Sequence, residues 1–246
     1  MVWRYVMTQF SLDLVSQLTE IHNAGVRRGK PDLVGDAVVE LISRLTSGGV
    51  AGKFDDIREV QAKRYWDLGV GRELGFSSFE AYLASIPQLP TAFNVDNTEF
   101  PIRVLVETRI GLKRLCEIGN IAFEGNDETF IAYDERYSEF KQPTWIRIQD
   151  GRKNRNRSVK DCRKNFAKYE RGLTALRGVC AYLQHAEVVS EWTKDGAHVM
   201  DLSGSVLSEI RGFAAFLGVD EGRAKLYWHW LDFARSKYGS ASSREC

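Results

Sequence analysis

The chain has 246 residues, 43% hydrophobic and 27% charged, with a formal net charge of +1. A chain of this length buries roughly 70–75% of its unfolded surface, which excludes the need for a metal or disulfide to fold, and no stretch reaches the ~18 consecutive apolar residues of a membrane span. The start, Met1-Val-Trp-Arg-Tyr-Val-Met7, lacks the apolar run and cleavage site of a secretory signal, so a cytoplasmic protein of one large or two small domains is expected, with Met7 a second candidate initiator.

Residues 8–92 have helical texture. Phe10, Leu14, Leu18 and Ile21 recur at helical spacing, and Val34, Val38, Leu41, Ile42 and Leu45 form a second stripe. A third helix is predicted from Asp55 to Leu68. Ser77-Ser-Phe-Glu80 reads as a capping box opening a short helix that stops before Pro87. Pro87–Pro90 and the polar stretch Asn94–Glu99 form the candidate linker between a helical part, 1–92, and an α+β part, 93–246, which can also share one core.

Beyond Phe100 the pattern turns β-like. Ile102–Val106, Phe130–Tyr133 and Trp145–Ile148 are short runs of branched and aromatic residues, and Lys113–Ile118 is a short helix between the first two. Asp150-Gly151 suits a two-residue hairpin turn. Thr174 is placed to cap a helix running to about Glu191, in which Gly178 costs about 1 kcal/mol relative to alanine. Leu226–Phe233 is dense enough for a strand buried on both faces. The tail Gly239-Ser-Ala-Ser-Ser is expected to be disordered. The fold class is therefore α+β, a helical part followed by a small antiparallel sheet with packed helices.

The near-neutral total hides a swing in charge. Residues 123–140 carry six acids against one base, a net of −5, and residues 147–171 carry ten bases against three acids, a net of +7. After Asp150-Gly151 the limb Arg152-Lys-Asn-Arg-Asn-Arg157 has no apolar residue, so neither face belongs in a core. Ser158 then opens a predicted helix with Val159, Cys162, Phe166 and Tyr169 on one stripe and Lys160, Lys164 and Lys168, beside Arg163, on the other. Like charges at this spacing cost an isolated helix roughly 0.2–0.5 kcal/mol per pair. An outside anion against the row removes that cost. The candidate contact set is Arg152, Lys153, Arg155, Arg157, Lys160, Arg163, Lys164 and Lys168, with Tyr133, Trp145 and Tyr169 as stacking faces for bases. A plainer alternative is that these cations pair with the acidic segment 123–140 or form a solvated face.

Other chemistry lacks a pattern. His22, His185, His198 and His229 are far apart, with no metal-ligand spacing, and no metal or other cofactor is expected. Cys116, Cys162 and Cys180 read as small buried groups and Cys246 as an exposed tail thiol, with no pairing fixed by spacing. His198 near Asp201 is a conceivable proton-transfer pair, against the simpler reading of a solvated loop histidine. Gly69-Val-Gly-Arg-Glu-Leu-Gly75 follows a helix where a nucleotide-binding loop follows a strand, and reads as a helix–helix turn.

Trp145-Ile-Arg-Ile-Gln-Asp-Gly-Arg-Lys-Asn-Arg-Asn-Arg-Ser158 and Gly172-Leu-Thr-Ala-Leu-Arg-Gly178 resemble segments of a family of uncharacterised bacterial proteins of the candidate-phylum type. Asp201-Leu-Ser-Gly-Ser205, Trp228-His-Trp230 and Tyr238-Gly-Ser-Ala-Ser242 are similar to the ends of the same proteins, with Ser203 where a proline is expected. The resemblance spans roughly the last hundred residues. It implies a bacterial, non-secreted protein and carries no activity or site residue across.

These features together describe a non-catalytic cytoplasmic binding module whose basic surface contacts nucleic acid or an acidic protein, without a membrane partner. Two other classes stay open. One is an enzyme with an aromatic-lined pocket near Tyr227, Trp228 and Trp230, served by Asp232, Asp201 or His198. The other is a structural or self-associating subunit.

Overall fold

The computed structural model describes residues 57–94, 97–137, 139–190 and 197–244, all within one compact unit, Ile57–Cys246. The two stripes predicted between Phe10 and Leu45, and Cys246, lie outside the described residues.

The unit is α+β. Helices α1 (Ile57–Asp67), α2 (Val70–Glu73) and α3 (Phe79–Ser85) lead into strand β1 (Ile102–Val106). Then come α4 (Leu112–Ile118), β2 (Phe130–Ala132), β3 (Thr144–Gln149), α5 (Val159–Asn165), β4 (Glu170–Gly172) and α6 (Ala175–Gln184). The chain ends in β5 (Val199–Leu207), β6 (Phe213–Asp220), β7 (Arg223–Trp230), β8 (Tyr238–Ser240) and β9 (Ser242–Arg244). One sheet has the order β1-β3-β9-β4 and the other β2-β5-β6-β7. Pairing is antiparallel except for β8, which lies parallel to β5.

Helix α6 holds the two sheets together. It packs on β1 of the first sheet and on β5 and β6 of the second. Thr174 caps it, its hydroxyl accepting from the Arg177 N–H, but the helix ends at Gln184 and stops short of Glu191. Gly178 faces β5, where a Cβ would lie 2.2 Å from Leu202 Cδ2. The missing side chain trades helix propensity for close approach of helix to sheet. Tyr65 and Tyr82 from the helical segment share one core with Val104, Ile146, Val179 and Leu202. The expected linker is part of this packing. Phe93 and Phe100 are fully buried, and Trp145 Nε1 donates to Pro87 O at 2.9 Å.

Several local expectations are corrected. The cap of α3 is Ser78, not Ser77, and its hydroxyl accepts from Ala81 N–H at 3.2 Å. Asp150-Gly151 makes no hairpin, because β3 already has β1 and β9 on its two edges, and residues Arg152–Asn154 form a 3-10 turn. The predicted double-sided burial of Leu226–Phe233 fails because β7 is an edge strand. Leu226 is 1% exposed, whereas Trp230 is 61% exposed. The tail is ordered. Its small residues form β8 and β9, with β9 in the interior of the first sheet and Ser240, Ser242 and Ser243 fully buried. Strand β5 is buried along its whole length, which erases the alternation that marks a one-sided strand.

Candidate anion-binding surface

The local +7 divides into two populations. Arg147 is 4% exposed and points inward, donating to Phe93 O at 2.8 Å while its guanidinium lies 5.2 Å from the Phe93 ring centre. Arg155 donates to Ala197 O at 3.0 Å and to His198 Nδ1 at 3.4 Å. Arg163 donates to Ser203 O at 2.7 Å and Ser205 O at 3.2 Å and stacks 3.8 Å from the Tyr133 ring centre. Burial lowers its pKa to about 10, still high enough to stay charged at neutral pH. These guanidinium forks satisfy backbone carbonyls, work for which their fixed geometry suits them.

Arg171, half-buried, likewise donates to Lys168 O at 2.7 Å and Glu170 O at 3.0 Å, and the other six bases face outward. Arg152 pairs with Asp150 and donates to Glu187 O at 2.8 Å. Lys153 lies 3.6 Å from Glu170 and 4.9 Å from the Phe100 ring centre. Lys160 pairs with Asp232 at 2.9 Å, an exposed contact of little energetic weight. Arg157, Lys164 and Lys168 are exposed and have no ion-pair partner among the described residues. Of the acidic segment 123–140, Asp134 forms an ion pair with Arg136 and also acts electrostatically on Arg163 and Arg171, and Glu139 pairs with Arg177.

Helix α5 presents part of this set. Its cap, Ser158, accepts from Asp161 N–H at 3.1 Å and donates to Asp161 Oδ2 at 2.7 Å. Val159 and Cys162 are buried, which turns Lys160 and Lys164 outward. The helix ends at Asn165, so Lys168 does not extend the lysine row as predicted and lies in the turn before β4. Of the three proposed stacking faces, Trp145 is only 4% exposed, and Tyr133 carries Arg163 on its ring. Tyr169 is exposed, donates to Glu99 at 3.1 Å and has Arg244 5.2 Å from its ring centre.

A feature hidden from the sequence is what the cationic segment rests on. Lys160 N–H donates to Leu231 O at 3.1 Å, and Asn156 N–H lies 3.2 Å from both Arg235 O and Tyr238 O. Residues 156–160 are thereby stitched to the turn that follows β7. That turn brings Arg235, exposed and 4.1 Å from the Phe233 ring centre, and it follows the exposed Trp230. The Trp230 ring lies 4.1 Å from the Phe213 ring centre, tilted by 33°. The basic segment and the turn after the aromatic run, some seventy residues apart in sequence, are thus joined by backbone hydrogen bonds.

Beneath it lies a buried acid. Asp201 Oδ1 is 2.8 Å from His229 Nε2, and His229 Nδ1 is 3.0 Å from Trp230 O, so Nδ1 carries the proton in that bond. Burial raises the Asp201 pKa, opposed by the hydrogen bond to His229. The predicted proximity of His198 to Asp201 gives no pair. His198 is fully buried rather than solvated, with Nε2–H donating to Asp150 O at 2.7 Å, and burial lowers its pKa. Asp232 pairs with Lys160, so the three polar groups expected around an aromatic pocket are each engaged separately.

A cleft of about 480 Å³ lies elsewhere, lined by Arg109, Asp127, Tyr137, Glu139 and Thr174 among others. Trp228 borders a smaller acidic one of about 310 Å³ with Glu124, Glu128 and Glu209. Among the described residues no group of three His, Cys, Asp or Glu side chains is placed to hold a metal ion, and no helix is long and apolar enough to cross a membrane. No family model, curated protein or solved structure matches the chain.

Proposed function

We propose that this protein is a non-catalytic cytoplasmic module that docks a polyanion, nucleic acid or an acidic protein, on the surface formed by Arg157, Lys160, Lys164 and Lys168. The observation that supports this most is that Arg157, Lys164 and Lys168 stand exposed without a carboxylate partner among the described residues. Unpaired cations at neighbouring positions repel one another, and an anion laid across them removes the repulsion and releases its counterions. Arg155 and Arg163 serve as the frame that fixes the segment, and Arg152 and Lys153 lie at its margin.

The test is the triple charge reversal of Arg157, Lys164 and Lys168 to Glu. Heparin retention and thermal melting are measured on the same samples. Loss of retention with unchanged melting supports the proposal. Unchanged retention, or a parent protein that heparin does not hold at all at ~50 mM salt, removes it.

A further inference from the structure

A bare edge strand is a template for another strand. On β1 that edge is filled from within. Gln61 donates to Arg103 O and accepts from Leu105 N–H, each at 2.7 Å, and Tyr65 donates to Leu105 O at 2.9 Å. The end strands β2 and β4 are only three residues each. Strand β7 has eight residues, and just its start is covered, by Ala122, whose N–H donates to Ala224 O at 2.8 Å and whose carbonyl accepts from Leu226 N–H at 2.9 Å. Leu231 N–H points the other way, to Gly212 O beside β6, so alternation turns Leu226 O, Trp228 N–H, Trp228 O and Trp230 N–H toward the open edge. None of the four has a partner among the described residues. Trp230 O is occupied by Phe233 N–H at 3.1 Å. The bare stretch Tyr227-Trp-His-Trp230 has no charged residue, proline or bulge to blunt it, and Tyr227 and Trp230 are exposed.

We infer that two copies of this chain pair through β7, antiparallel about a two-fold axis at Trp228, so that the second sheet continues across the dimer. The free groups fit this register. Trp228 N–H meets the partner subunit's Trp228 carbonyl and the reverse, and Trp230 N–H meets the carbonyl of Leu226 of the partner subunit. The remaining groups of that ladder, Leu226 N–H and Trp230 O, are the two that Ala122 and Phe233 already occupy. A shift in register leaves some of the free groups unpaired. A strand from an unrelated protein imposes no such symmetry about Trp228. The pair uses each bare edge once and so closes as a dimer, with Trp230 over the partner subunit's Leu226. Little freedom is lost in forming it, since the Tyr227 and Trp228 rings stack at 4.1 Å and the Trp230 ring lies 4.1 Å from that of Phe213.

The experiment uses the full chain, with mass from sedimentation equilibrium and amide hydrogen exchange read by NMR at low and high protein concentration. A dimer is expected. As it forms, the Trp228 and Trp230 amides exchange more slowly, while the Leu226 amide, bonded to Ala122 in either state, is unchanged. Trp230→Ala and Trp230→Pro both remove the ring, but only proline removes the N–H, which points away from β6 and serves no bond within the chain. Proline is therefore expected to raise the dimer Kd about 10-fold or more over alanine. Should the proline variant fail to fold, Trp230→Lys, a charge at an exposed position, is expected to dissociate the dimer instead. A monomer at every concentration overturns the inference and leaves the edge to a strand from another protein. A dimer whose Trp228 and Trp230 amides exchange no more slowly than the monomer's, or one that neither proline nor lysine weakens beyond alanine, overturns it equally.

Discussion

Gly239→Ala separates a floppy tail from a packed one. In a disordered tail the added methyl group is neutral. In this fold a Cβ on Gly239 would lie 2.1 Å from Gly151 O and 3.1 Å from Arg155 N. An ordinary carbon–oxygen contact is roughly 3.3 Å, so the two backbones must part by about 1 Å. Both are fixed. Gly239 lies in β8, paired to Met200 of β5, and it bridges to Arg155 on its other side. A backbone oxygen cannot rotate away as a side chain can, which puts the cost near the top of the usual overpacking range, about 3 kcal/mol. For a unit of this size each kcal/mol lowers Tm by about 2–4 °C, so a drop of about 6–12 °C is expected by calorimetry. The control is Gly212→Ala, whose Cβ meets only Trp230 ring carbons at 3.6 Å or beyond and is expected to melt within about 0.5 kcal/mol of the parent. A Gly239→Ala protein melting within 1 °C of the parent would refute the packed tail, and with it the placement of Arg155 and its neighbours.

Three further outcomes follow from the same geometry. Arg177 is fully buried and pairs with Glu139 at 3.2 Å, so Glu139→Gln, which leaves the guanidinium without that carboxylate, is expected to cost about 3 kcal/mol in urea unfolding. His198 is held neutral by burial, with Arg152 and Arg155 adding to the effect and the Asp150 carbonyl and carboxylate opposing it. Its folded pKa lies below the usual 6.5, so its contribution is intact above that value and is lost as pH falls through it toward the folded pKa. Melting between pH 7 and pH 5 should therefore decline, and His198→Gln should flatten that decline. Heparin retention should fall as salt rises, and Lys164→Ala should elute at lower salt than the parent.

The fold class was legible from local sequence. Ile102–Val106 and Trp145–Ile148 carry the branched and aromatic residues of strands, and Thr174 announces its helix, because these signals depend on near neighbours. The charge swing was equally plain, and so was the candidate surface at the level of a segment. What each cation does was not. Arg163 and Lys164 are adjacent in sequence, yet one feeds carbonyls of β5 and the other is exposed, a difference set by which face of α5 meets the sheet. The tail and β5 were unreadable for a related reason. Gly239, Ser240 and Ser242 look like loop residues alone, yet Ser240 and Ser242 are fully buried and Gly239 lies where the Gly151 backbone approaches too closely for anything larger. Local preference and composition are properties of the chain and can be read along it. The joining of 156–160 to the turn beyond Trp230 comes from hydrogen bonds between residues some seventy positions apart, and such contacts exist only once the tertiary structure has closed.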